Sequence, residues 1–146
     1  MRIIGDGGHA KVVRDIMDQK AHIAIGDNKA RKSEAERLRD GGYNFPVVVH
    51  PNASISDDAR IGKGSLICDG AIIGPAVDVG EHVIVNDGAV IAHDCKIGNY
   101  AHVAPSATLC GNVTVGEGAL IGAGAVCVPG AVIAPWSLVK AGSVAK

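Results

Sequence analysis

The chain has 146 residues, 47% hydrophobic and 20% charged, with a formal net charge of −1. This is one ordinary globular domain or two small ones, not a disordered chain. It carries no basic footprint for nucleic acid and no run of about 18 apolar residues for a membrane span, and Met1-Arg2-Ile3-Ile4-Gly5 does not open a secretory leader. Gly contributes 20 residues, while aromatic side chains make up 3%: Tyr43, Phe45, Tyr100 and Trp136. A core this poor in rings must be filled by small and β-branched side chains in narrow, repeated packing.

In chain order, Met1–Ile4 reads as a short strand and Gly5-Asp6-Gly7-Gly8 as a turn. His9–Gln19 reads as a helix with Val12, Val13 and Ile16 on its apolar face, and Ala21–Ile25 as a second strand. Asn28 caps a helix running to about Asp40, and Gly41-Gly42 stops it. Pro46 then leads into Val47-Val48-Val49. The pattern is a minimal βαβαβ unit with a three-stranded parallel, Rossmann-like sheet. It holds nine of the fourteen Lys and Arg. About 48 residues are too few to stand alone comfortably, so this unit is expected to pack on the first coil of the repeat that begins at Val49. Gly5-x-Gly7-x-x-Ala10 fits the dinucleotide turn, between a strand and a helix whose N-terminus can receive a phosphate. The run Lys29-Ala30-Arg31-Lys32, with Arg37 and Arg39, reads as a solvated helix face, a phosphate contact by Arg31 being the alternative.

From Val49 onward a six-residue register never slips. Every sixth residue, from Val49 through Ile91 to Val139, is Ile, Val or Leu at fifteen of sixteen positions, Cys127 being the exception. The residue four further on, from Ala53 to Ser143, is small or β-branched at all sixteen. Neither an α-helix nor an alternating strand has this period. It reads as a parallel β-helix of about five coils, three hexads to a coil, roughly 25 Å tall at the usual strand spacing. The aliphatic residue points into a triangular prism too narrow for rings. Gly62, Gly74, Gly80, Gly98, Gly116 and Gly122 come directly after it, which suits a bend. Cys95 and Cys127 fall on inward positions, Cys68 and Cys110 beside bends. With no CxxC pairing, they read as reduced thiols of a cytoplasmic protein.

His93 lies two places after inward Ile91 and so projects outward near a bend. A neutral imidazole there can take a proton from an attacking group, and Asp94 can fix its tautomer. An idle exposed histidine would occupy the same place. Asn86 stands where Gly is usual, and tolerance of a left-handed backbone alone would explain it. A glycine at position 111 has an equally plain explanation in a bend. His82, His93 and His102 are 11 and 9 residues apart, which does not match the far-upstream histidine and closely spaced pair of zinc-binding trimeric β-helices. No metal is expected.

Taken together, Ile3-Ile4-Gly5-Asp6-Gly7-Gly8-His9-Ala10, Ile23-Ala24-Ile25-Gly26-Asp27-Asn28, His50-Pro51-Asn52-Ala53, Ala92-His93-Asp94-Cys95, His102-Val103-Ala104-Pro105 and Leu109-Cys110-Gly111-Asn112 resemble the sugar acetyltransferases of the sialic acid and bacillosamine type. The resemblance implies a mainly β protein: residues 49–146 form a left-handed parallel β-helix, and residues 1–48 a reduced nucleotide-sugar-binding α/β domain. Reduced, because Asp18-Gln19-Lys20-Ala21 joins helix and strand without the further strand and acidic loop usual in the family. It further implies a homotrimer that moves acetyl from acetyl-CoA to the amine of a nucleotide-linked amino sugar, for a bacterial surface glycan. His93 would be the general base and Asp94 its partner. His102, the Gly111 N–H and the Ala123 backbone would hold the acetyl-CoA, Asn86 the sugar across a subunit boundary, and Gly7, Gly8 and His9 the nucleotide diphosphate. Acetylation of a sugar hydroxyl, as in sialate O-acetylation, is an alternative. So is a non-catalytic paralogue that binds a nucleotide or a partner.

Overall fold

Each hexad places two residues in a strand, and because side chains alternate across a strand, one points into the prism and one out. The computed structural model describes residues 19–146. Seventeen two-residue strands make up the prism. The first three, β3 (Val48–Val49), β4 (Ser54–Ile55) and β5 (Arg60–Ile61), begin its three faces. A strand then recurs every six residues to β19 (Val144–Ala145). Each strand before the last three pairs in parallel with the strand 18 residues on, so Val48 faces Leu66, Val90 faces Thr108 and His102 faces Leu120. The first and second faces have six strands each and the third has five.

The interior is a ladder of inward side chains. Ile67, Val85, Val103 and Ile121 lie beneath the first face, Ile91 and Leu109 beneath the second, all fully buried. The small residues of the hexad, such as Ala71, Ala89, Ala107 and Ala125, complete the same core at the corners. Burial of each large aliphatic side chain is worth about 1.5–3 kcal/mol against exposure.

Two different hexad positions need small residues, for different reasons. The third residue after the inward aliphatic turns the corner in the left-handed region, with φ between 54° and 74° from Gly64 to Gly142. Glycine holds many of these positions, but Ala76, His82, Asp94, Tyr100, Ser106, Asn112 and Trp136 hold the others. The glycines directly after the aliphatic residue do not turn the corner, contrary to the sequence expectation. A Cβ on Gly62 would stand 2.5 Å from the Gly80 carbonyl, and one on Gly116 2.4 Å from the Pro135 nitrogen. They let one coil approach the next.

Before the prism, β1 (Gln19–Lys20) and β2 (Tyr43–Asn44) pair in parallel, joined by α1 (Asn28–Arg39). Among the described residues this single crossover is what is seen of the expected βαβαβ unit. Among the described residues there is one helix and one two-stranded sheet, and the strand expected at Ala21–Ile25 lies at Gln19–Lys20 instead. The strand expected at Met1–Ile4 and nearly all of the helix expected at His9–Gln19 fall outside the described residues. The cap of α1 is Asp27 rather than Asn28: its carboxylate accepts the Ala30 N–H at 2.7 Å.

The helix does not rest on the first coil. It runs along the corner between the third and first faces, where Gly64, His82, Tyr100, Gly118 and Trp136 stack coil on coil. Asn28 donates to the Gly118 carbonyl at 3.0 Å. Lys32 pairs with Glu117 at 3.1 Å and lies over the Tyr100 and Trp136 rings. Phe45 meets His82 edge-on at 5.0 Å, and His82 stacks on Tyr100 at 5.6 Å. The few rings of this chain therefore line the outside of the prism, where Ile23, Ala35, Phe45 and Tyr100 form a second, small core.

Arg31 departs from both sequence readings. It is neither solvated nor free for a phosphate, being 1% exposed. Its guanidinium donates to the carbonyls of His82 (2.8 Å), Ile25 (2.8 Å), Gly26 (3.1 Å) and Tyr100 (2.7 Å), and to the side-chain oxygen of Asn28 (2.8 Å). Burial pulls its pKa down to about 10, against the opposing charge of Asp27, and it stays cationic at neutral pH. No helix among the described residues is long and apolar enough to cross a membrane.

Candidate active site

The corner between the second and third faces carries the sharpest chemistry. After inward Ile91 the chain turns through His93 and Asp94, and Asp94 has the left-handed φ of 61° that the corner requires. Aspartate tolerates this conformation better than most residues. His93 Nδ1 lies 2.8 Å from Asp94 Oδ2. The carboxylate accepts a hydrogen bond from Nδ1–H, which leaves Nε2 as the free acceptor on an exposed imidazole.

Gly111 stands 18 residues on, directly over His93. Its φ is not in the left-handed region, so the corner does not require a glycine there. The His93 ring does: a Cβ on Gly111 would stand 2.6 Å from both Cε1 and Nε2. The Gly111 carbonyl accepts from Gly130 N–H at 3.0 Å, whereas its own N–H has no acceptor among the described residues. A basic nitrogen and an unused backbone donor thus share one exposed corner. Beneath it, Cys95 donates to the Cys110 carbonyl at 3.1 Å.

Asn86 and His102 form a second constellation. His102 points outward from the first face, in β12 (His102–Val103). Asn86 begins the corner between the first and second faces, and its Nδ2 lies 3.1 Å from His102 Nε2. Asn86 has no left-handed backbone, so the conformational explanation for it fails. Its Oδ1 accepts from Asp87 N–H at 2.8 Å. Burial lowers the pKa of His102, the Arg31 charge lowers it further, and the Gly26 backbone opposes the change.

Ala123 is exposed at the corner between the first and second faces, where its carbonyl accepts from Gly142 N–H at 2.8 Å. The corner that carries His93 lies opposite the first face of the prism. One chain therefore joins His93, Asp94 and Gly111, and separately Asn86 and His102, but does not bring the two groups together. Gly7, Gly8 and His9 lie outside the described residues. His82, His93 and His102 occupy three different parts of the prism, and no group of three His, Cys, Asp or Glu gathers among the described residues. All four cysteines are free, and burial pushes the Cys127 thiol up to about 11. Arg31 is the residue that sequence reasoning missed. Its signal, a cation within a basic run, did not distinguish it from solvated neighbours.

The fold is thus a three-faced parallel β-helix of hexapeptide repeats with a histidine–carboxylate pair on one corner. The pattern described as bacterial transferase hexapeptide (six repeats) matches residues 76–111 and 94–129. Over that stretch the chain is similar to hexapeptide-repeat transferases. A UDP-N-acetylbacillosamine N-acetyltransferase of Bacillus subtilis (strain 168) is 37% identical over 106 residues, which is 49% of that protein. The crystal structure of PerB from Caulobacter crescentus, in complex with CoA and GDP-perosamine, superposes with a TM-score of 0.88 at 36% identity, over 92% of this chain and 65% of that one. Structures of that GDP-perosamine N-acetyltransferase with one histidine changed to alanine or asparagine hold the same ligands. The acetyltransferase domain of PglB from Neisseria gonorrhoeae FA1090, in complex with acetyl coenzyme A, has a TM-score of 0.80 at 33% identity, over 83% of this chain and 59% of that one. The chain spans about half the length of the curated relative it matches and less than two thirds of these solved structures.

Proposed function

We propose that this protein transfers acetyl from acetyl-CoA to the amine of a nucleotide-linked amino sugar destined for a bacterial surface glycan. The observation that carries the reading is the His93–Asp94 pair standing over Gly111 on an exposed corner. The amine lone pair attacks the thioester carbonyl carbon and forms the C–N bond. His93 Nε2 takes the proton that the amine sheds, while Asp94 holds Nδ1–H. The Gly111 N–H donates to the developing oxyanion. The C–S bond then breaks, and the departing thiolate of CoA takes up the proton. An amine acceptor is favoured over a hydroxyl because the similar enzymes are N-acetyltransferases of amino sugars.

In this reading the coil is left-handed and the working unit is a homotrimer. Two observations support the trimer. The second face presents an apolar row, Ile72, Val90, Val126 and Val144, of which Ile72 is 47% and Val144 60% exposed. His93 and His102 lie on opposite sides of one prism, so prisms packed side by side bring the His93 corner of one chain to the His102 face of its neighbour. Asn86 then meets the sugar, while His102 and the Ala123 backbone line the acetyl-CoA groove. Residues 1–48 act as a reduced nucleotide-binding domain, with Gly7, Gly8 and His9 on the diphosphate, and residues 49–146 as the catalytic β-helix. The unpaired thiols suit a cytoplasmic enzyme.

The test is His93→Ala in purified protein supplied with acetyl-CoA and a UDP- or GDP-linked amino sugar. Loss of about 10²–10⁴-fold in CoA release is expected for removal of a general base. Equal rates from wild type and variant would end this mechanism.

A further inference from the structure

The N-terminal segment reaches the second constellation through one side chain. Arg31 grips the carbonyl of Tyr100 at 2.7 Å and approaches that of Ala101 at 3.4 Å, the two residues immediately before His102. The same guanidinium binds the Ile25 and Gly26 carbonyls at 2.8 and 3.1 Å. Gly26 belongs to the segment that covers His102. So long as the ring stays in register with Asn86, that neighbour selects its tautomer. Asn86 Oδ1 is committed to the Asp87 N–H, so the Asn86 amide turns its NH₂ toward His102. Nε2 must then accept, and in a neutral ring the proton sits on Nδ1.

We propose that Arg31 is a positioning residue: by clamping Gly26 and the Tyr100–Ala101 turn together, it holds His102 in the neutral, Nδ1-protonated form, with Nε2 aimed at Asn86. A planar fork suits this task, because it satisfies several carbonyls at fixed angles, which an ammonium does not. The effect on titration points the same way, since a buried cation close to an imidazole disfavours its protonation. Asp27, which caps α1, is the acidic group whose charge acts on Arg31. The proposal deepens the reading of His102 as part of the acetyl-CoA site. It is tested apart from turnover, so the two can fail separately.

The test is ¹⁵N–¹H correlation NMR of the imidazoles in the intact protein, followed across pH. In wild type, His102 is expected to carry its proton on Nδ1 and to titrate below the ordinary histidine range. A proton on Nε2 overturns the proposal without any variant being made. In Arg31→Met, His102 is expected to become a mixture of tautomers and to titrate higher. In Arg31→Lys, which keeps the charge but not the fork, the tautomer is expected to mix while the titration stays low. Arg37→Ala, on the exposed side of α1, leaves His102 as in wild type. If a folded Arg31 variant retains the wild-type His102 tautomer, the clamp does not position this residue. In turnover, both Arg31 variants should raise KM for acetyl-CoA more than they lower kcat. A purely structural loss would instead reduce the amount of active protein and leave KM unchanged.

Discussion

Gly111 leaves room for His93: a Cβ at position 111 would lie 2.6 Å from the imidazole Nε2, against an ordinary contact of at least 3.4 Å. Because Gly111 has no left-handed φ, alanine costs its backbone nothing, and the whole effect falls on the ring. Gly111→Ala should therefore fold with a denaturation midpoint close to wild type, yet lose about 10–100-fold in kcat, as expected when a reacting group is displaced by about an ångström. Circular dichroism and steady-state kinetics on the same preparation decide it. An active, stable Gly111→Ala would mean that the ring can swing aside without consequence.

Three histidines at the junction of the N-terminal segment with the prism, His22, His82 and His102, have pKa values lowered first of all by burial. The Nδ1 atoms of His22 and His82 are buried without a hydrogen-bond partner. A base depressed in the folded state is neutral in both states above about pH 6.5, the unfolded value, so stability is complete there. As pH falls below about 6.5, the unfolded segment takes up protons first and stability is lost, until the depressed folded values are passed. Hydrogen exchange, corrected for intrinsic rates, should show α1 losing protection as pH falls below about 6.5 while the prism strands keep theirs. Protection lost evenly along the chain would contradict this.

The two kinds of corner glycine separate by substitution. At Gly124 the space is open but φ is +64°. Alanine there meets only backbone strain, about 1–2 kcal/mol. At Gly116 φ is not in that region, but a Cβ would press on the Pro135 nitrogen at 2.4 Å. There the backbone of two coils must separate, and Gly116→Ala should cost about 3 kcal/mol or more. Urea midpoints of the two variants give the order. A reversed order would mean that the coils slide apart more easily than the corner tolerates strain.

Much of this fold was legible because a β-helix is periodic. Ile91 and Leu109, Ala89 and Ala107 repeat at the same step in sequence as in space, so their inward placement comes from counting. Cys95 and Cys127 could be placed in the core in the same way. The corner itself was misassigned. Glycine marks both close approach and left-handed turns, and only the backbone angles separate Gly62 from Gly64. The part before Val48 was least legible, since it has no repeat. A helix over Asn28–Arg39 could be read from its cap and stop signals, but the surface it covers could not.

The candidate site divides in the same manner. His93 and Asp94 are adjacent in sequence, so their pairing needed no fold. His93 with Gly111 and Asn86 with His102 are 18 and 16 residues apart, and one coil of the prism brings each pair into contact. Arg31 reaches residues 51 and 69 positions away, and no local pattern distinguishes it from Lys32 or Arg37. The amino-acid sequence by itself determined the prism, its inward ladder and the corner on which His93 stands, because these depend on a six-residue step that each hexad repeats. Only the tertiary structure decided which glycine makes room for a ring, which cation is buried and which face α1 covers. Those depend on contacts between coils and across the corner, where distance along the chain carries no information about distance in space.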